Sequence, residues 1–232
     1  DKTNLFQKKI GGRVLPEFLS IKDDPTIDKY QGAPLLGYYK IDDEGVPAQT
    51  VNLVENGYLK TLLNNRTPIK RVRESNGHQR GNTIMISNLF LTSDQTKALS
   101  PNELKKKFLD LVKQRELPFG IIVRKVIDKN ILTTSLTRVT FGNSSFFIKQ
   151  NAIPILQAYK VYPDGREELI KNIEINSLTV QSFKDIVNVS NKPYIMNYLA
   201  PVVVQSFDFG GSMYIGSSII APDLLFEDLE IN

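Results

Sequence analysis

One residue sets the ceiling on the chemistry of this chain. It contains a single histidine, His78, and no cysteine. A Ser-His-Asp relay would have to run through that one imidazole, and neither a multi-histidine nor a thiolate metal site can be assembled from this sequence alone. His78 lies in the stretch Asn76-Gly77-His78-Gln79-Arg80, which joins an amide, a group that titrates near neutrality and a guanidinium. A polar loop of this kind, held by a sheet, suits a peptide backbone or its terminal carboxylate, reached through Asn76 and Arg80. Asn76, His78 and Arg80 are therefore the candidate substrate-binding residues, and the ordinary alternative for His78 is a plain surface histidine.

The densest carboxylate group is Asp42-Asp43-Glu44, followed by Gly45 and Pro47. Three acidic side chains in a row suit a metal ion or a substrate amine. The ordinary reading is turn chemistry, in which Asp side chains bond nearby backbone N–H groups and Gly45 and Pro47 set the bend. Asp23-Asp24-Pro25 reads as a turn as well, since proline pushes its predecessor out of the helical region. Gly210-Gly211-Ser212 offers backbone N–H groups to an anion but lacks the strand-to-helix setting of a nucleotide loop, so it reads as a strand connection. No residue pattern nominates a catalytic residue or a metal-ligand set.

Composition narrows the class. The chain has 232 residues, 41% hydrophobic and 23% charged, which suits a folded globular protein. No apolar run approaches the roughly 20 residues that span a bilayer. Net charge is +4, from 29 basic and 25 acidic residues. Lys105-Lys106-Lys107 and the set Lys70, Arg71, Arg73 and Arg80 are the only basic concentrations. With no tryptophan and no aromatics interleaved among them, they read as solvated faces rather than a nucleic-acid surface. Absence of cysteine fits a reducing cytosol and an oxidising periplasm alike.

The elements that must position these residues are mostly short strands. Leu36–Ile41 reads as a strand, broken by the acidic turn. Gln49–Glu55 and Tyr58–Leu63 form a hairpin through Asn56-Gly57, the preferred pair for a type I′ turn. That register pairs Val54 with Leu59 and Val51 with Leu62; the two valines, three apart, would face opposite sides of the sheet. Thr67–Thr83 is a polar loop, and a strand follows near Ile84–Leu91. Ser100, Pro101 and Glu103 make a capping box ahead of an apolar stripe of Leu104, Phe108, Leu111 and Val112, so a helix begins there and ends at Leu117-Pro118-Phe119-Gly120. Gly120–Ile127, Ile131–Phe141, Phe146–Ile148, Ala158–Tyr162 and Glu167–Ile170 read as strands, the last two flanking the turn Pro163-Asp164-Gly165. Val180–Val187 suits a short helix, and Pro201–Ile231 suits three strands around Asp208–Ser212. The expected fold is α+β, a mainly antiparallel β-sheet domain with one or two helices, and a single domain over 1–232.

Three stretches resemble the C-terminal domain of the TldD/PmbA metallopeptidase family, also known as modulators of DNA gyrase. The first is Ile41–Gln49 with Leu53-Val54-Glu55-Asn56-Gly57-Tyr58-Leu59-Lys60, similar to the family's acidic turn, strand and E-N-G-x-L-K hairpin. The second is the strand, glycine turn and returning strand of Gln157–Ile170. The third is Ile220-Ala221-Pro222-Asp223-Leu224-Leu225, similar to the closing A-P-x-L-L.

The resemblance implies the C-terminal part of a longer protein that binds peptides in a cleft, with this domain as one wall and part of a dimer interface. The dimer would be a homodimer or a heterodimer with a family member, in the cytoplasm rather than on a membrane. It places the turn residues Asp42, Asp43, Glu44, Gly45, Asn56 and Gly57 near the cleft. Peptidase members carry a zinc-binding H-E-x-x-x-H before the acidic turn and a cysteine ligand near the C-terminus. This chain has neither, so it needs no cofactor of its own, and zinc would belong to the full-length protein or a partner. In the corresponding stretch, 203–212, Asp208 is a candidate oxygen ligand. A zinc-free, non-enzymatic binding or assembly subunit is the alternative.

Overall fold

The computed structural model describes residues 6–81, 83–126, 153–171, 173–175, 178–202 and 213–229. In chain order the strands of the first stretch are β1 (Leu19–Asp23), β2 (Lys29–Tyr30), β3 (Ala33–Pro34), β4 (Val51–Glu55), β5 (Tyr58–Leu59), β6 (Gln79–Arg80), β7 (Thr83–Ile84), β8 (Asn88–Ser93) and β9 (Ala98–Leu99). Helix α1 (Pro101–Gln114), β10 (Gly120–Val126), β11 (Ile153–Val161), β12 (Glu167–Ile170), β13 (Glu174–Ile175) and helix α2 (Val180–Lys184) follow. The chain closes with β14 (Ile186–Ser190), β15 (Tyr194–Val202), β16 (Met213–Ala221) and β17 (Leu224–Phe226). The result is an α+β fold dominated by antiparallel strands, with two α-helices among the described residues, as the sequence led us to expect.

Two compact units divide this span, the first built from 1–98 and 188–224 and the second from 99–187 and 225–232. The first is organised by a six-stranded sheet in the order β15-β16-β8-β1-β4-β5. Every neighbouring pair runs antiparallel except β16 and β8, which are parallel, with Ser218 opposite Asn88. Leu35, Phe90 and Ile220 form a buried cluster on which Ile27, Tyr30 and Ile195 pack, and Tyr30 meets Phe90 edge-on at 5.6 Å.

The β4–β5 hairpin turns at Asn56-Gly57, with φ of 48° and 80°, and pairs Val54 with Leu59. Both positive φ values are what a type I′ turn needs. A side chain at Gly57 would bring its Cβ within 2.5 Å of the Leu15 carbonyl oxygen, so glycine also serves close approach here.

Two details of this region correct the sequence reading. Strand β5 stops at Leu59, and Val51 pairs with Asp23 on β1 instead of Leu62. In addition, β4 carries an extra residue against β1: Ile21 faces Val54, but Lys22 faces Asn52. Ile21 and Asp23 share a face because they are two apart, so their partners Val54 and Val51 share it too. This bulge, which resets the strand's alternation, explains why both valines are buried on one side.

Leu36–Ile41 does not form the expected strand. Two of its backbone donors are taken by side chains, Leu36 N–H by Ser218 Oγ at 2.9 Å and Gly37 N–H by Asn88 Oδ1 at 3.0 Å, Tyr39 N–H goes to the Pro25 carbonyl at 3.1 Å, and only Ile41 makes an isolated bridge, to Pro47. The strand expected at Ile84–Leu91 divides between β7 and β8. The strands read over Ile131–Phe141 and Phe146–Ile148 lie outside the described residues, as does the loop at 208–212. Of the closing strands, β16 and β17 fall in the described part of Pro201–Ile231.

In the second unit α1 has the capping box read from sequence. Ser100 Oγ accepts from Glu103 N–H and the Glu103 carboxylate accepts from Ser100 N–H at 2.9 Å. Those hydrogen bonds hold the exposed Glu103 carboxyl below its ordinary value. The helix buries Leu104 and Val112. Strand β11 pairs with β10, β12 and β13, and Gly165 at φ 88° makes the β11–β12 turn.

Candidate functional site

Strand β1 follows an apolar face, Leu19 and Ile21, to Asp23, whose side chain is fully buried with that of His78. His78 Nε2 lies 3.0 Å from Asp23 Oδ1. On the other side of the ring, Nδ1 lies 2.9 Å from the Asn76 carbonyl oxygen and 3.1 Å from its Oδ1. Acceptors thus flank the ring on both sides, two from Asn76 and one from Asp23. The Asp23 carboxylate also accepts from Ser87 N–H at 3.0 Å and from Ser87 Oγ–H.

Asn76 ties this centre to the loop before it. Its Oδ1 accepts from Asn64 N–H at 2.8 Å, and its Nδ2 donates to the Leu62 carbonyl at 2.9 Å. Asn64, itself buried, donates to the carbonyls of Val72 and Glu74 at 3.3 and 3.0 Å. Arg80 is 9% exposed, donates to the Ile86 and Gly216 carbonyls at 3.1 and 2.7 Å, and stacks 4.8 Å from the Tyr39 ring centre. Burial lowers the Arg80 guanidinium, against the support of Tyr39, Asp23 and Asp43, and burial raises the Tyr39 hydroxyl well above its ordinary value. Tyr39 donates that hydroxyl to the Gly77 carbonyl at 2.7 Å.

The plain surface histidine expected from sequence is thus corrected, because His78 is wholly inside. The three residues read as substrate-binding do come together, but their side chains are committed to the fold. Sequence reasoning missed Asp23, Asn64 and Tyr39. For Asp23 the signal was present, since the alternation Leu19, Ile21, Asp23 puts it on the apolar face; the turn read at Asp23-Asp24-Pro25 begins one residue later, where Asp24 Oδ1 accepts from Thr26 N–H and Oγ–H.

The acidic turn follows the ordinary reading. Asp42, buried, accepts from the N–H groups of Glu44, Val46 and Gln79 at 3.0, 2.8 and 3.1 Å. Asp43 accepts from Gly81 N–H and Glu44 from Arg66 N–H at 2.7 Å. These carboxylates hold the loop 61–81 against the turn.

The loop so held forms one side of an open groove of about 580 Å³. Gln49, Thr50, Val51 and Asn52 make its floor, and Thr61 with Arg71–Asn76 its walls. The hairpin's last rung is Lys60 N–H to the Leu53 carbonyl, so no described strand pairs with Val51 and Asn52 on that side. Arg71 donates to the Ile10 carbonyl at 2.6 Å. The Arg73 guanidinium is exposed and has no partner among the described residues.

A sequence profile of the PmbA/TldA metallopeptidase C-terminal domain matches residues 1–232. The chain belongs to this family. It is 37% identical over 94 residues to a metalloprotease of Methanocaldococcus jannaschii, covering 38% of this chain and 20% of that protein. It is 41% identical over 94 residues to a metalloprotease of Methanothermobacter thermautotrophicus, covering 38% and 19%. Among solved structures, a Thermotoga maritima protein proposed as a modulator of a DNA gyrase aligns over 98% of this chain and 42% of its own, at 24% identity and a TM-score of 0.63. TldE from Thermococcus kodakarensis aligns over the same shares at 18% identity and a TM-score of 0.60. These two share the fold. The aligned part of the curated relatives is about a fifth of their length.

The family name implies a metal, and the described side chains do not fit one. The sole imidazole has both nitrogens engaged, and no group of three or more His, Cys, Asp or Glu side chains gathers among the described residues. Asp208 lies outside them. No helix among them is long and apolar enough to cross a membrane.

Proposed function

We propose that this chain forms one wall of a peptide-binding cleft in a TldD/PmbA-type metallopeptidase, with zinc supplied from outside it. The observation that carries this is the groove, where an edge of β4 that pairs with no described strand lies beside a loop held by buried hydrogen bonds. An extended peptide along such an edge gains main-chain hydrogen bonds with little demand on its sequence, and a wall already ordered adds little conformational cost to binding. Asn76, His78 and Arg80 serve the peptide through the wall they hold.

Assembly with a second copy or a family member fits β15. Among the described residues this strand ends the six-stranded sheet, and Tyr194–Val202 contains no charge. Tyr194, Met196 and Leu199 are all more than half exposed. Native sheets normally blunt such an edge with charge or cover it.

The test is bound zinc and peptide hydrolysis measured together on the longest natural form of the protein. Zinc and turnover, with turnover lost on filling the groove by Asn52→Trp and zinc retained, are expected. Turnover unaffected by that substitution would refute the wall. A second reading, a zinc-free assembly subunit, is favoured by the locked His78 and the lack of cysteine; stoichiometric zinc lost on substituting a residue of this chain would overturn it.

A further inference from the structure

We infer that the groove selects peptides carrying a carboxylate, which Arg73 receives; this rests on the peptide-wall reading and specifies its substrate class. Arg71 and Arg73 project from the wall loop, and the roles of the two guanidinium groups differ. Arg71 is consumed by the Ile10 carbonyl, with its backbone at φ 78°. Arg73, two residues on, is exposed at the groove with no partner among the described residues. Glu74 is the only acidic side chain in the lining, against two arginines, and the floor from Gln49 to Asn52 is uncharged. An amine therefore meets a net positive wall, and a carboxylate meets a guanidinium suited to grip it with two parallel N–H bonds.

The position of Arg73 is fixed rather than incidental. Asn64 holds the carbonyls on either side of it, those of Val72 and Glu74, and is itself pinned by Asn76. The loop thus offers Arg73 on a short, anchored arc beside the edge at Val51 and Asn52, which pairs with no described strand on that side. A peptide strand on that edge supplies the backbone contacts, and its carboxylate supplies the contact to Arg73.

The carboxylate belongs either to an acidic side chain or to the peptide's own C-terminus, and the test separates these. Fluorescence anisotropy on the full natural protein would compare three labelled, β-prone peptides: one with a glutamate and an amidated end, one neutral with a free C-terminus, and one neutral and amidated. At least one carboxylate peptide should bind about tenfold more tightly than the neutral one, an advantage abolished by Arg73→Gln and kept by Arg166→Gln, an equal charge change elsewhere. Which peptide gains identifies the source. Equal binding of all three, or an advantage that survives Arg73→Gln, overturns the inference while leaving the peptide wall standing. No binding by any of them removes both.

Discussion

Asp23→Ala is the sharpest perturbation of the buried centre. It leaves His78 Nε2, Ser87 N–H and Ser87 Oγ facing a cavity in a site where Asp23, His78 and Ser87 are all 0% exposed. A buried donor without a partner costs about 1–3 kcal/mol. The Ser87 hydroxyl can rotate to another acceptor, so the sum is smaller than three separate losses, and the expected destabilisation is about 3–5 kcal/mol. Folded domains have about 5–15 kcal/mol in total, so this one substitution removes a large fraction. With a urea slope near 2 kcal/mol/M, the midpoint falls by about 2 M. Far-UV circular dichroism with tyrosine fluorescence reads this, since the chain has no tryptophan. Removing both partners, as Asp23→Leu with His78→Phe, should cost less than the two single changes added together, because an apolar pair leaves fewer stranded polar groups. A midpoint within about 0.3 M of the parent for Asp23→Ala, at unchanged slope, would refute the assignment of this centre as the anchor of the loop.

Three further outcomes are expected. Gly57→Ala, forced to φ 80° against the Leu15 carbonyl, should lower stability by more than about 1 kcal/mol in a thermal melt, whereas Gly165→Ala, with open space around it, should lose less. Ser100→Ala, by removing the N-cap of α1, should cost about 1 kcal/mol in the same measurement. Burial alone would raise the Asp24 carboxyl, but hydrogen bonds from Thr26 and Thr50 with the charge of Lys22 hold it below its ordinary value. Its contribution to stability is therefore full above the unfolded carboxylate value and fades as pH falls through the lower folded one. Acid titration of urea midpoints should show a smaller loss over that window for Asp24→Asn than for the parent.

What could be read from the residues was what local rules decide. Asn56-Gly57 determines a hairpin within four residues, and Ser100-Pro101-Asn102-Glu103 determines where a helix begins. The bulge in β4 was hidden because nothing in Val51–Glu55 marks an extra residue; it exists only against β1. Leu36–Ile41 has strand composition, yet the acceptor that claims Leu36 N–H is Ser218, 182 residues away. His78 looked exposed because its partner, Asp23, lies 55 residues off. A histidine in a glycine-rich polar stretch carries no local sign that a buried carboxylate waits for it. The groove was legible only in its parts, as the basic residues 70–73 and a strand beginning near Gln49, with nothing to say that one lines the other.

The parallel pairing of β8 with β16 also sets a schedule. When Ser93 leaves the ribosome, β1, β4, β5 and β8 have all been made, but the strand that completes the sheet begins only at Met213. At about 5–20 residues per second, the intervening stretch of about 120 residues takes on the order of ten seconds to synthesise. Throughout that interval Leu89 and Phe90 sit on an uncovered strand edge, while most of the second unit is emerging and has its own contacts to make. The nascent protein therefore carries a sticky, half-finished sheet for far longer than strands take to pair, and a chaperone that shields β8 during this wait would raise the yield of folded chain.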